Sequence, residues 1–186
     1  NRNNWECALS EAAFMTGLER NADVVVMSSY APLSGHVDGW QWTPSLIWFD
    51  NLRSFGTPNY YVQQLFSRNR GDVVLPTKIS GQVPPTGQKP GLYATAVREE
   101  KSGQVILKVV NGTAESASAC VQLRGVKPAA QGTVIVLTAA SLAEENSFDA
   151  PKKVSPVNSE VSGIAPEFDY TFKPYSLTVL RLSDNR

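Results

Sequence analysis

One histidine and two cysteines in 186 residues leave little from which to build a metal site. Zinc is normally held by three or four His, Cys or carboxylate ligands at close spacings, and His36, Cys7 and Cys120 sit in segments of different character. The same scarcity excludes a disulfide framework, and both cysteines are expected as buried free thiols. An excess of one charge is missing as well. The 17 Lys and Arg residues balance the 17 Asp and Glu residues, and the longest same-sign clusters are pairs such as Glu99-Glu100 and Lys152-Lys153, so no nucleic-acid partner is expected. No apolar run reaches the roughly 18 residues of a membrane-crossing helix, so no membrane partner is expected either. The amino terminus has neither Met nor a basic stretch followed by an apolar one, so it reads as the interior of a longer gene product and not as a signal peptide.

What is present falls into two halves. Apolar residues make up 42% of the chain, enough for a core, and the length fits one domain or one and a half. All four Trp lie before residue 50. Residues 4–20 predict a helix, because Trp5, Ala8, Leu9 and Ala12 follow the spacing of one buried face. Asn3 or Asn4 can cap its start, and Asn21 can close it in a left-handed turn. Residues 23–27 (Asp-Val-Val-Val-Met) predict a strand buried on both faces, as in a parallel sheet. A long Trp-rich connection follows over residues 28–55, within which 45–49 suit a short strand or a helical turn. Thr57-Pro58 then starts a second helix, with Thr as cap and Pro at the first helical position, and it fades over residues 67–71.

Beyond Gly71 the hydrophobic period becomes two. Strands are predicted at 91–97, 104–110, 118–123, 132–138 and 175–182, with residues 139–168 a polar excursion between the last two. Ser102-Gly103 and Asn111-Gly112 read as hairpin turns, and the turn is preferred over glycosylation for the Asn-Gly-Thr triplet at 111–113. The fold class is therefore mainly β: a β-sandwich of jelly-roll type over residues 71–186, preceded over residues 1–70 by a helix–strand–helix unit. That unit is about a quarter of an α/β barrel and would expose a large apolar face on its own. It must pack on the sandwich, on a second copy of the chain, or on barrel elements that this chain does not contain.

Specific strings carry a resemblance. EAAFMTGLERNAD at 11–23 followed by Val24 and Val25, SYAPL at 29–33, WTPSLIWF at 42–49 and GTPNYYVQQLF at 56–66 resemble the last part of family 51 α-L-arabinofuranosidases. ENSFD at 145–149 with Pro151 and Val154, and PYSLTVL at 174–180, resemble that family's carboxy-terminal sandwich. Six such strings in the family's order run nearly end to end. The resemblance implies a retaining glycosidase that releases terminal α-L-arabinofuranosyl units from arabinose-containing glycans, with no cofactor and no metal. Two glutamates do that chemistry, with carboxyls about 5–5.5 Å apart. It also implies that the leading unit is helix 7, strand 8 and helix 8 of a (β/α)8 barrel, that both glutamates lie upstream of Asn1, and that no catalytic residue is in this chain. The rest of the barrel is then its partner, a homo-oligomer is compatible with it, and a secreted or periplasmic location fits such an enzyme.

In a barrel the loops after the strands line the active site. Here that loop is 28–55, and it carries His36, Asp38, Trp40 and Gln41 as candidate substrate-binding residues. Trp offers a flat apolar surface to the C–H face of a furanose, while His, Asp and Gln offer hydrogen bonds to its hydroxyls. The alternative is an aromatic loop that only packs the barrel rim. Many relatives have Phe after the Tyr-Ala-Pro-Leu string, whereas this chain has Ser34-Gly35, which alters the pocket wall. Of the acidic residues in the leading unit, only Asp38 and Asp50 lie in the loop. The sandwich aromatics Tyr93, Phe168, Tyr170, Phe172 and Tyr175 serve either as core or as a sugar-binding platform. A non-catalytic carbohydrate-binding or structural sandwich module is the alternative function.

Overall fold

The computed structural model describes residues 3–81 and 91–185. Helix α1 spans Trp5–Arg20 and buries Trp5, Ala8, Leu9, Ala12 and Met15 along one face. Its first turn is capped twice. The Asn4 side chain accepts from the Cys7 N–H at 3.0 Å, and the N–H groups of Trp5 and Glu6 donate to the carbonyls of Glu144 and Leu142 at 2.8 and 2.9 Å. Donors that a helix start leaves free are thus satisfied by a loop from the far half of the chain. At the other end Asn21 has φ −106°, so no left-handed residue closes the helix. Its side-chain amide donates to the Gly17 carbonyl at 2.7 Å instead, which achieves the closure without a positive φ.

The strand expected at 23–27 is absent. Val24, Val26 and Met27 are 72%, 92% and 87% exposed, and the segment is irregular. A strand buried on both faces needs hydrogen-bonded neighbours on both edges, and no described strand runs beside it. The following loop instead makes a small sheet, in which β1 (Ser34–His36) pairs parallel with β2 (Ile47–Phe49), and β2 pairs antiparallel with β3 (Ser54–Gly56). Of the two options for 45–49, the strand is realised. Helix α2 spans Pro58–Arg68, with the Thr57 hydroxyl accepting from the Tyr60 N–H at 3.3 Å.

The second half is a sandwich. Its strands are β4 (Val73–Leu75), β5 (Leu92–Arg98), β6 (Val105–Asn111), β7 (Ala117–Gln122), β8 (Pro128–Thr138), β9 (Val157–Ser162), β10 (Glu167–Phe172) and β11 (Ser176–Asp184). Six of them form an antiparallel sheet in the order β4-β5-β6-β11-β8-β9, and β7 and β10 form a second, two-stranded sheet. The excursion expected over 139–168 hides β9 and the start of β10. Strand β9 reads Val-Asn-Ser-Glu-Val-Ser and is exposed at nearly every position, as an edge strand can be, so it carries no alternation to detect. Asn111-Gly112 is not a hairpin: β6 pairs with β5 and β11, and the chain crosses there to the other sheet. Both cysteines are free, as expected, but exposed rather than buried.

Alternation on the large sheet creates two cores. Ile106 and Val110 of β6, Leu177 and Val179 of β11, and Leu137 of β8 face α1 and α2. Leu107, Val109, Leu180, Leu182 and Val134 face the small sheet, where they meet Phe168 and Phe172. Of the three ways to cover the leading unit, packing on the sandwich is the one adopted by its helices. Polar ties reinforce the contact. The Trp5 indole N–H donates to the Tyr175 carbonyl at 2.8 Å, and Lys108, fully buried between Ile106 and Val110, reaches the Glu19 carboxylate at 2.7 and 3.0 Å. Arg20 donates to the Ala94 carbonyl at 2.6 Å.

Candidate functional site

The Trp-rich loop forms an open cleft of about 320 Å³, walled by Pro32, His36, Trp40, Gln41, Trp42 and Phe49 among others. Three of the four residues singled out from sequence, His36, Trp40 and Gln41, line it together. Asp38 does not line it, but its backbone N–H donates to His36 Nδ1 at 3.2 Å. His36 Nε2 lies 3.2 Å from Asn51 Oδ1. With Nδ1 accepting from a backbone donor, the hydrogen is on Nε2, and Asn51 accepts it. The imidazole is also edge-on to Phe49, with centroids 5.3 Å apart. Trp40 stands perpendicular to Trp48 at 6.2 Å and keeps half its surface exposed, while Trp42 is 69% exposed.

The backbone behind this wall is tightly packed. A Cβ on Gly35 would lie 2.7 Å from Ser45 Oγ and 3.0 Å from the Trp48 ring, so only glycine fits between them. The missing side chain at Gly35 lets Trp48 approach β1.

Asn51 escaped the sequence reading. It sits in the turn between β2 and β3, where the Asp50 carboxylate accepts from the N–H groups of Leu52 and Arg53 at 2.8 and 2.6 Å. These backbone donors, with the Arg53 guanidinium at 3.1 Å, hold the Asp50 carboxyl below its ordinary value. An Asp-Asn turn between two short apolar runs was the available signal.

Two further acidic groups of the leading unit have structural engagements. Glu11 accepts from the side-chain amides of Asn59 and Gln63, which ties α1 to α2, and burial pushes its carboxyl up. Glu19 is held by Lys108. The sandwich aromatics are divided between the two cores: Phe168 and Phe172 are buried and Tyr170 packs with them, whereas Tyr93 and Tyr175 pack on the opposite side of the large sheet. They form no common platform.

A helix pair is thus laid on one face of a β-sandwich, with a Trp-lined loop sheet beside it. The α-L-arabinofuranosidase C-terminal domain family matches residues 1–176, and the chain belongs to that family. It is 59% identical over 76 residues to an extracellular exo-α-L-arabinofuranosidase of Streptomyces chartreusis, covering 41% of this chain and 9% of that protein. It is 32% identical over 177 residues to α-L-arabinofuranosidase 1 of Arabidopsis thaliana, covering 92% of this chain and 25% of that one. Among solved structures, an arabinose-bound family 51 α-L-arabinofuranosidase superposes with a TM-score of 0.87 at 34% identity, over 99% of this chain and 28% of its own. The chain thus spans about a quarter of the Arabidopsis enzyme and of the arabinose-bound structure.

Proposed function

We propose that this chain is the carboxy-terminal portion of a retaining α-L-arabinofuranosidase, in which residues 1–70 complete a (β/α)8 barrel and residues 71–186 form its sandwich. The parent enzyme removes terminal α-L-arabinofuranosyl units from arabinose-containing polysaccharides or oligosaccharides, and its catalytic glutamates lie in the barrel upstream. His36, Trp40 and Gln41 form one wall of the arabinose subsite, with Asp38 fixing the imidazole from behind. The observation that carries this reading is the open cleft in which a half-exposed Trp40 stands beside an imidazole held at both nitrogens. That pairing offers stacking to a sugar face and oriented hydrogen bonding to its hydroxyls.

The exposed segment around Val24, Val26 and Met27 fits the same proposal, because a barrel strand has its neighbours elsewhere in the parent protein. The test compares the 186-residue chain with the full-length gene product on p-nitrophenyl α-L-arabinofuranoside. Activity is expected only in the full-length protein, and His36→Ala or Trp40→Ala there is expected to raise KM. Turnover by the 186-residue chain alone would sink the assignment of the catalytic carboxylates to the missing part.

A further inference from the structure

The excursion between β8 and β9 reaches out of the sandwich to the loop sheet. Phe148, near its tip, packs edge-on against Phe55 of β3 with centroids 4.9 Å apart. The Arg53 guanidinium lies over the same ring, 4.7 Å from its centroid. Arg53 in turn grips Asp50 through Nε and Nη2 at 3.2 and 3.1 Å. Asp50 organises the turn that presents Asn51, and Asn51 accepts from His36. One turn away, the buried Asn146 donates to the carbonyls of Gly56 and Val154 at 2.9 and 3.0 Å and accepts from the Val154 N–H at 2.7 Å, which fixes the excursion to the end of β3.

From these contacts we infer that Phe148 is a positioning residue for the cleft: the sandwich sets the orientation of His36 through Arg53, the Asp50 turn and Asn51. Each link is directional. An aromatic face attracts a cation over its centre, a guanidinium that donates both Nε and Nη2 to the one oxygen Oδ2 holds Arg53 against the Asp50 carboxylate by charge-assisted hydrogen bonds, and a carboxylate that accepts two successive N–H groups defines its turn. The excursion therefore has a task beyond joining two strands. It couples the sandwich to the rim, so the catalytic half of the parent enzyme depends on a residue about a hundred positions after the histidine it serves. The inference rests on the proposed subsite only for its effect on turnover, and the linkage to His36 can be read without that.

The test has two arms. His36 is the single histidine of the chain, so its ring resonances are unambiguous by NMR in the 186-residue protein. Phe148→Ala is expected to move them, whereas Phe148→Tyr, which keeps the ring face, leaves them near the wild-type positions. Arg53→Gln removes the cation from an exposed side chain without touching a core, and is expected to move them too, so a poorly folded Phe148→Ala protein would not leave the question open. In the full-length enzyme Phe148→Ala is expected to lower kcat/KM about five- to tenfold, with no further loss when introduced into His36→Ala. Unmoved His36 resonances in a folded Phe148→Ala or Arg53→Gln protein, or equal losses in the presence and absence of His36, would overturn the coupling. Full activity of His36→Ala alone would overturn the sugar-wall assignment, with the NMR arm still deciding the coupling.

Discussion

Lys108 offers the sharpest check on how the two halves adhere. Its side chain is fully buried on β6, 5.5 Å from the Phe66 ring centroid, with the Glu19 carboxylate as its charge partner. Glu19 keeps only 16% of its side chain exposed. Removing one member of such a pair strands the other charge in an apolar layer, at a cost of about 3–5 kcal/mol. Glu19→Gln is the clean perturbation, because it keeps the shape and removes the counter-charge. Lys108→Met should cost less, about 1–2 kcal/mol, since Glu19 can turn its carboxylate toward water. The double replacement Glu19→Leu with Lys108→Met removes both charges and should come back to wild-type stability or exceed it by about 1–4 kcal/mol. Urea denaturation followed by tryptophan fluorescence, to which the fully buried Trp5 contributes, reads all three.

Burial holds the Lys108 ammonium below its ordinary pKa, which adds a pH signature. Between its folded value and the unfolded value near 10.5 the unfolded state binds more protons, so stability attributable to this group rises with pH through that window. The rise should be larger in Glu19→Gln, which lacks the partner favouring the charged form, and absent in Lys108→Met. A Glu19→Gln protein within about 1 kcal/mol of wild type would refute the reasoning. It would mean that water already reaches the pair and that the helix–sheet layer is wetter than described.

Four further outcomes follow from the same contacts. Burial raises the Glu11 carboxyl, so between the unfolded value near 4.5 and its raised folded value the folded form binds the extra proton; the stability margin of wild type over Glu11→Gln should narrow as pH rises through that window in urea titrations. Asn111 is fully buried, accepts from Thr113 and donates to the carbonyls of Glu115 and Lys173, so expression in a glycosylating host should add no glycan mass there, and Asn111→Ala should lose roughly 2–3 kcal/mol by denaturant melt. A Cβ on Gly56 would meet the Tyr60 ring at 2.4 Å, so Gly56→Ala should lower Tm, at a cost of about 1–3 kcal/mol. Trp5→Phe keeps an aromatic ring but removes one of the two donors to the Tyr175 carbonyl, the Thr138 hydroxyl at 3.0 Å remaining, and should cost about 0.5–1.5 kcal/mol in the same melts.

The two helices could be read from the sequence because their signals are local. Asn4, the Trp5–Ala12 face and Thr57-Pro58 encode start, face and cap within a few residues. The central strands β5, β6 and β11 were legible for the same reason. The strand at 23–27 failed because its apolar run encodes a need for neighbours without saying where they are. Strand β9 failed in the opposite sense: an edge strand with polar residues on both faces has no pattern, and its identity comes from register against β8. The cleft was half legible. His36, Trp40 and Gln41 announced themselves by residue type, whereas Asn51 and Phe148 acquire meaning only from contacts across 15 and about 100 residues of chain.

The period change near residue 70 and the packing of the cores do not divide the chain in the same place, and this decides what a truncation would do. Cutting between residues 70 and 71 follows the proposed domain division, but it strips α1 and α2 from the large sheet. Ile106, Val110, Leu137, Leu177 and Val179, all fully buried, would then face water together with the charged head of Lys108. Each such side chain contributes about 1.5–3 kcal/mol when buried. Five of them match the whole stability of a domain this size, about 5–15 kcal/mol. The loss is not confined to one face, because the excursion anchored by Asn146 on Gly56 and the Trp5 bond to Tyr175 go with it. A 71–186 truncation is therefore expected to be aggregated or unfolded, whereas the 186-residue chain keeps a cooperative transition. A soluble, cooperatively melting 71–186 protein would show that the small sheet alone sustains the sandwich and that the helix layer adds little to it.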